Sequence, residues 1–167
     1  EYRNDSAATL AADVFSTILG LNSSKWQQAL IDKRLASFTN VAYQTCRYVG
    51  PIRALILPSP PKMKECYEEI LKQVNRWADD DYFTDVQLQT AKEILLRNKI
   101  RNEEKPSQQA SGLTAWWCST SLDYGTDYDD NMQKLTRQDI QQYLKKYIIG
   151  KPFIAGMIIN EKMRNEL

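Results

Sequence analysis

From Met63 to Ala78 the residues Met63, Cys66, Tyr67, Ile70, Leu71, Val74, Trp77 and Ala78 recur at i, i+3, i+4, i+7, i+8, i+11, i+14 and i+15. This is the spacing of one continuous face on an α-helix, and such a stripe must be buried against a partner layer. The proline-rich PSPPK before it and the acidic DDDYF after it bound the helix. Any fold for this chain has to supply a surface for that face.

The surroundings narrow the choice. Asp5 to Leu19 reads as another helix, with Ala7, Ala11, Val14, Phe15 and Ile18 on one side, Asp5 or Ser6 as its cap and Gly20 at its end. A short helix beginning near Ser23 or Ser24 turns Trp26, Leu30 and Ile31 inward. SFTNVAYQTCRYV, rich in β-branched and aromatic residues, predicts a strand, and Gly50-Pro51 separates it from a second, IRALIL. Joined by a short turn, the two would pair antiparallel. Thr84 with Gln87 forms a capping box for a helix to about Asn102, and Pro106 opens one that includes Trp116 and Trp117. Asp123, Gly125 and Asp127 to Asp130 read as a loop. Thr136 caps a last helix with Ile140, Tyr143, Leu144, Tyr147 and Ile148 on one side, and FIAGMII reads as a final strand after Gly150-Lys151-Pro152. The order α-α-β-β-α-α-α-α-β does not alternate as a doubly wound sheet does. The expectation is an α+β fold: a mainly antiparallel sheet covered by helices, in one domain over residues 1–167.

Composition excludes several functions. The 167 residues hold 22 Lys and Arg against 21 Asp and Glu, a net charge of +1, so nothing draws the whole chain to nucleic acid or an anionic membrane. No apolar run approaches the ~20 residues of a membrane span. Histidine is absent altogether. That removes His-based zinc sites, the Ser-His-Asp triad and the Cys-His dyad together. Cys46, Cys66 and Cys118 are odd in number and widely spaced, and each is expected to be a buried free thiol.

The remaining candidates for chemistry are weak. Asp79 to Asp81 and Asp127, Asp129 and Asp130 lack the spacing of a calcium loop and read as solvated charge. Lys33, Arg34, Arg47 and Arg53 lie near Tyr43 and Tyr48 without forming a basic run, so surface charge is the simpler reading. Adjacent helical residues point about 100° apart, so one of Trp116 and Trp117 should pack inward and the other lie on a rim. No glycine-elbow serine and no phosphate-binding loop is present.

Three stretches, in matching order, resemble the non-catalytic domain of the pitrilysin/insulinase family of zinc metallopeptidases. That family includes the mitochondrial processing peptidase and the core proteins of the bc1 complex. DSAATLAADVFSTILGLNSSKWQQALIDKRLAS looks like the family's Ala-rich helix, Ile-Leu-Gly end, Ser-rich link and Leu-Ala segment. FTDVQLQTAKEILLRNKI is similar to its t-x-x-E-L-x-x-A-K helix, and KLTRQDIQQYLKKYIIGKPFIAGMIINE to its V-T-x-x-D-V helix and terminal strand. The resemblance implies a repeated α+β domain that closes a chamber around a peptide or unfolded polypeptide. Zinc is then expected on a neighbouring, homologous domain, in the same chain or a partner subunit, and no metal or cofactor in this one. The family's Arg and Tyr after the Ser-rich link fall here on Ile31 and Ser37, so that pair is missing. Arg34 and Ser37 are the substrate-chamber candidates that remain, with no catalytic residue. The family's first strand precedes its first helix, so a fragment of a larger chain is expected. A structural subunit akin to the bc1 core proteins is the alternative. Neither the residues nor the resemblance indicates a compartment.

Overall fold

The computed structural model describes residues 5–48 and 50–161. Helix α1 (Ser6–Gly20) leads into α2 (Lys25–Gln27), which continues as a π-helical turn, Gln28–Asp32. Strands β1 (Ala36–Tyr43) and β2 (Ile52–Pro58) follow, then a 3-10 turn at Pro60–Lys62. The rest is helical: α3 (Met63–Arg76), α4 (Asp85–Glu103), α5 (Pro106–Ser119), α6 (Leu122–Lys134) and α7 (Arg137–Tyr147).

Helix ends follow local chemistry. Asp5 accepts from the Ala8 amide at 3.0 Å, Ser24 from Gln27 and Ser121 from Tyr124, each satisfying an amide the first turn would leave open. Thr84 with Gln87 and Thr136 with Asp139 form complete capping boxes.

Helix α1 is the centre of the core. Its Leu10, Ala11, Ala12, Val14, Phe15, Ile18 and Leu19 are buried, and it packs against α4, α7 and β1. Trp77 sits edge-on to both Phe15 and Trp26, with centroids 5.3 Å apart in each pair, and Phe83 meets Phe15 at 6.1 Å. Such pairs add about 0.5–1.5 kcal/mol each beyond the area they bury. The buried indole of Trp26 donates to Thr39 Oγ1 at 2.7 Å, tying α2 to β1. The stripe on α3 is buried less deeply than its spacing suggests. Cys66 is fully covered, as is Trp77 just past the helix end, whereas Ile70 and Val74 are half-buried.

The two strands do pair antiparallel, with Thr39 opposite Ile56 and Tyr43 opposite Ile52 and a bulge between Ala36 and Phe38. The sheet is smaller than expected: among the described residues it has two strands, so the fold is α+β but mostly helical rather than a mainly antiparallel sheet. Residues 44–48 leave the ladder, which shortens the first predicted strand, and Val49 lies outside the described residues. FIAGMII, at 153–159, forms no strand. It is nearly all exposed and pairs with no strand among the described residues, so it lacks the hydrogen bonds of a ladder.

The predicted loop after Ser121 is instead helix α6. Tyr124, Tyr128 and Met132, four residues apart, form its buried face. Gly125 is required there: a Cβ would lie 2.7 Å from two atoms of the Trp116 ring. Only Cys66 of the three free thiols is buried, because Cys118 lies on the open side of α5 and Cys46 in the irregular segment after β1.

Candidate functional site

Arg34 and Ser37 lie three residues apart where the chain leaves the π-turn and enters β1, and both are exposed. Arg34 has φ 56°, the left-handed region that a side chain with a Cβ enters at a cost of about 1–2 kcal/mol. The conformation is held from both sides. The Arg34 amide donates to Ile31 O at 2.8 Å and the Leu35 amide to Leu30 O at 2.9 Å. The hydroxyl of Ser59 donates to Arg34 O at 3.0 Å, and the Ser59 amide to Leu35 O at 2.8 Å. Ser37 stands in the bulge, with its hydroxyl 3.4 Å from Leu57 O. The two candidates therefore share one end of the hairpin, on backbone that the end of β2 secures.

Beside them is an open cleft of about 280 Å³ lined by Lys25, Gln28, Ala29, Lys33, Gln73 and Arg76. Its cations are answered by acids. Lys25 Nζ lies 2.6 Å from Asp81, Arg76 Nε 3.1 Å from Asp79, and Lys33 3.8 Å from Glu69. The hydrogen bond from Lys25 holds the Asp81 carboxyl below its usual range. The DDDYF loop is also clamped by α7: Arg137 donates to Asp80 O, Phe83 O and Asp85, with its guanidinium 4.4 Å from the centre of the Phe83 ring. Asp79 to Asp81 thus serve as partners for neighbouring bases. Asp129 of the second acidic run lies on α6 and takes Lys99 at 2.7 Å.

Two polar groups were not singled out from the sequence. Lys92 is buried, and its ammonium donates to Gln133 O at 2.9 Å and Leu135 O at 2.7 Å, closing the carbonyl end of α6. Burial pulls its pKa down while Asp139 pulls it up. The AK of the t-x-x-E-L-x-x-A-K pattern was its signal: Ala91 packs without exposure and Lys92 reaches those carbonyls. The second is Asp13 on α1, which accepts from the Tyr128 hydroxyl at 2.8 Å and whose carboxyl burial pushes up to about 6. It stands among Ser6, Thr9, Ser16 and Thr17 on the polar side of α1, where the spacing carries no signal. Trp116 and Trp117 divide as expected: Trp116 packs on Tyr124 and Tyr128, and Trp117 is 68% exposed.

The donors do not suit a zinc site of the metallopeptidase kind. The sequence has no imidazole, its three cysteines stand apart in different environments, and no group of three metal-ligating side chains forms among the described residues. No helix among the described residues is long and apolar enough to cross a membrane.

No protein-family model matches the chain, and no curated protein matches it. Among solved structures, the crystal structure of a protease from Helicobacter pylori is similar, with a TM-score of 0.72 and 23% sequence identity. The match covers 84% of this chain and 34% of that one, so the chain spans about a third of the protease it resembles. The likeness is one of fold, shared with part of that protease.

Proposed function

We propose that this chain is a non-catalytic domain of a zinc metalloendopeptidase of the pitrilysin/insulinase kind, walling part of a peptide-substrate chamber. Zinc and the catalytic residues lie on a homologous domain, in the same polypeptide or a partner subunit. One observation carries the reading: a protease-related fold extends over 84% of a chain without a single histidine. Such a zinc site needs protein ligands and an activated water, and this chain lacks the imidazoles for it. Arg34 and Ser37 contact the polypeptide from the end of the hairpin, where strained but well-anchored backbone suits a binding role.

The test is the sequence of the native polypeptide and of whatever copurifies with it, together with binding of a labelled unfolded polypeptide. A His-x-x-Glu-His motif outside residues 1–167 is expected, as is weaker binding by Arg34→Ala. Stoichiometric zinc on this chain would overturn the reading. A native assembly with no such motif would favour the second reading, a structural subunit. The exposed Phe153, Ile154, Met157 and Ile158 favour that alternative, since apolar side chains gathered on a surface suit a permanent contact.

A further inference from the structure

We propose that the outer face of the β1–β2 hairpin binds an extended peptide segment whose apolar residues are flanked by Asp or Glu. This names the kind of polypeptide taken there, and it rests on the reading of the hairpin end as a polypeptide-binding site. Charge is the first support. Residues 33–64 hold six cations, Lys33, Arg34, Arg47, Arg53, Lys62 and Lys64, and not one Asp or Glu. A stretch of +6 inside a chain of net charge +1 is a local field that the total conceals. Its nearest acids in sequence, Asp32 and Glu65, stand just outside its two ends. Lys33 lies 3.8 Å from Glu69. Among the described residues no ion pair includes Arg34, Arg47, Arg53, Lys62 or Lys64. Arg34, Arg47 and Arg53 are also exposed, so their charge is open to a partner.

The strands give those charges an apolar strip to flank. Thr39 turns inward to Trp26, so the residues on either side of it point to the opposite face. On that face Phe38 stands opposite Leu57, Asn40 opposite Leu55 and Ala42 opposite Arg53. Phe38, Leu55 and Leu57 are each about half open to solvent, and β2 packs mainly on β1. Arg53 closes the strip near its Tyr43 end, and Arg34 lies just beyond its Ala36 end. At about 3.3 Å per residue the strip from Phe38 to Ala42 runs for about 13 Å, the reach of a few extended residues. Apolar side chains of a peptide laid along it rest on Phe38, Leu55 and Leu57, and carboxylates at its two ends meet a guanidinium each. Arginine suits that task, because its planar fork pairs with both oxygens of a carboxylate. Single-stranded nucleic acid fits less well, since the strip offers Phe38 as its one ring for stacking.

The experiment is fluorescence anisotropy of short labelled peptides on the full native polypeptide. One peptide has an apolar centre flanked by Glu, a second the same centre flanked by Lys, and a third Ser in place of the apolar residues. The Glu-flanked peptide is expected to bind about fivefold tighter than either of the others, with less advantage over the Lys-flanked one as salt is added. Arg53→Glu is expected to weaken the Glu-flanked peptide about fivefold and to strengthen the Lys-flanked one, a swap that structural damage would not produce. Leu55→Ser is expected to weaken both. Equal binding of all three peptides, alongside retained binding of unfolded polypeptide, overturns the acidic-apolar class and leaves the binding site standing. Loss of binding to every polypeptide removes both. A single-stranded oligonucleotide or phosphatidylserine vesicles that bind as tightly as the Glu-flanked peptide overturn the peptide assignment.

Discussion

The layer around α1 and the segment from Phe153 to Ile159 are both apolar, yet they fare oppositely. On α1, Val14, Phe15 and Ile18 are covered from several sides, while Ile154 is 100% exposed. The outer side of β2 shares the second fate, with Leu55 and Leu57 open to solvent. Hydrophobicity alone does not bury a residue; an opposing surface of matching shape must exist. A helix makes its backbone hydrogen bonds within its own segment, so from a neighbour it needs only side chains to pack on. An extended segment also needs a second edge for its amides and carbonyls.

The sharpest way to break that contrast is to shorten matched residues on the two sides. Ile18→Ala is expected to cost about 2–5 kcal/mol in urea unfolding, from lost transfer energy and a cavity. Ile158→Ala should stay within about 0.5 kcal/mol. Equal losses would mean that 153–159 is covered in solution.

The pH dependence of stability comes next. The carboxyl of Asp13 is raised from 3.8 to about 6 on folding. Its contribution is therefore full below pH 3.8 and is lost as pH rises toward and through 6. By pH 7.5 the deficit approaches about 3 kcal/mol, and Asp13→Asn is expected to recover much of it. Unfolding midpoints of both proteins at pH 4, 5, 6 and 7.5 measure the difference, and parallel curves would remove Asp13 as the cause. Thr39→Val leaves the buried Trp26 N–H without its acceptor, at an expected cost of about 1–3 kcal/mol. A much smaller loss in thermal unfolding would show that water replaces the hydroxyl. The smallest effect belongs to the hairpin end: Arg34→Gly relieves a positive φ but frees the unfolded backbone. Stability should change by less than about 1 kcal/mol, while binding of unfolded polypeptide weakens.

Legibility follows the same division. The helix caps at Thr84 and Thr136 could be read directly and those at Asp5 and Ser24 to within one residue, because a cap is a bond between residues three apart. Helix α6 was hidden by Gly125 and its run of acids, which resemble a loop until Trp116 is seen resting on that glycine. Arg34 and Ser37 could be singled out only through family resemblance. The positive φ and the bulge that distinguish their backbone are tied to bonds with Ser59 and Leu57, 25 and 20 residues away but one step across the hairpin.

By itself the sequence determined the helices other than α6, the antiparallel sense of the hairpin and the lack of imidazole chemistry, since all of these depend on local spacing or on residue type. The tertiary structure decided that FIAGMII is not a strand, that Lys92 closes the end of α6 and that Asp13 carries a displaced pKa. Each of these turns on a partner distant in the chain, and the energy of a hydrogen bond or a buried charge depends on what surrounds it.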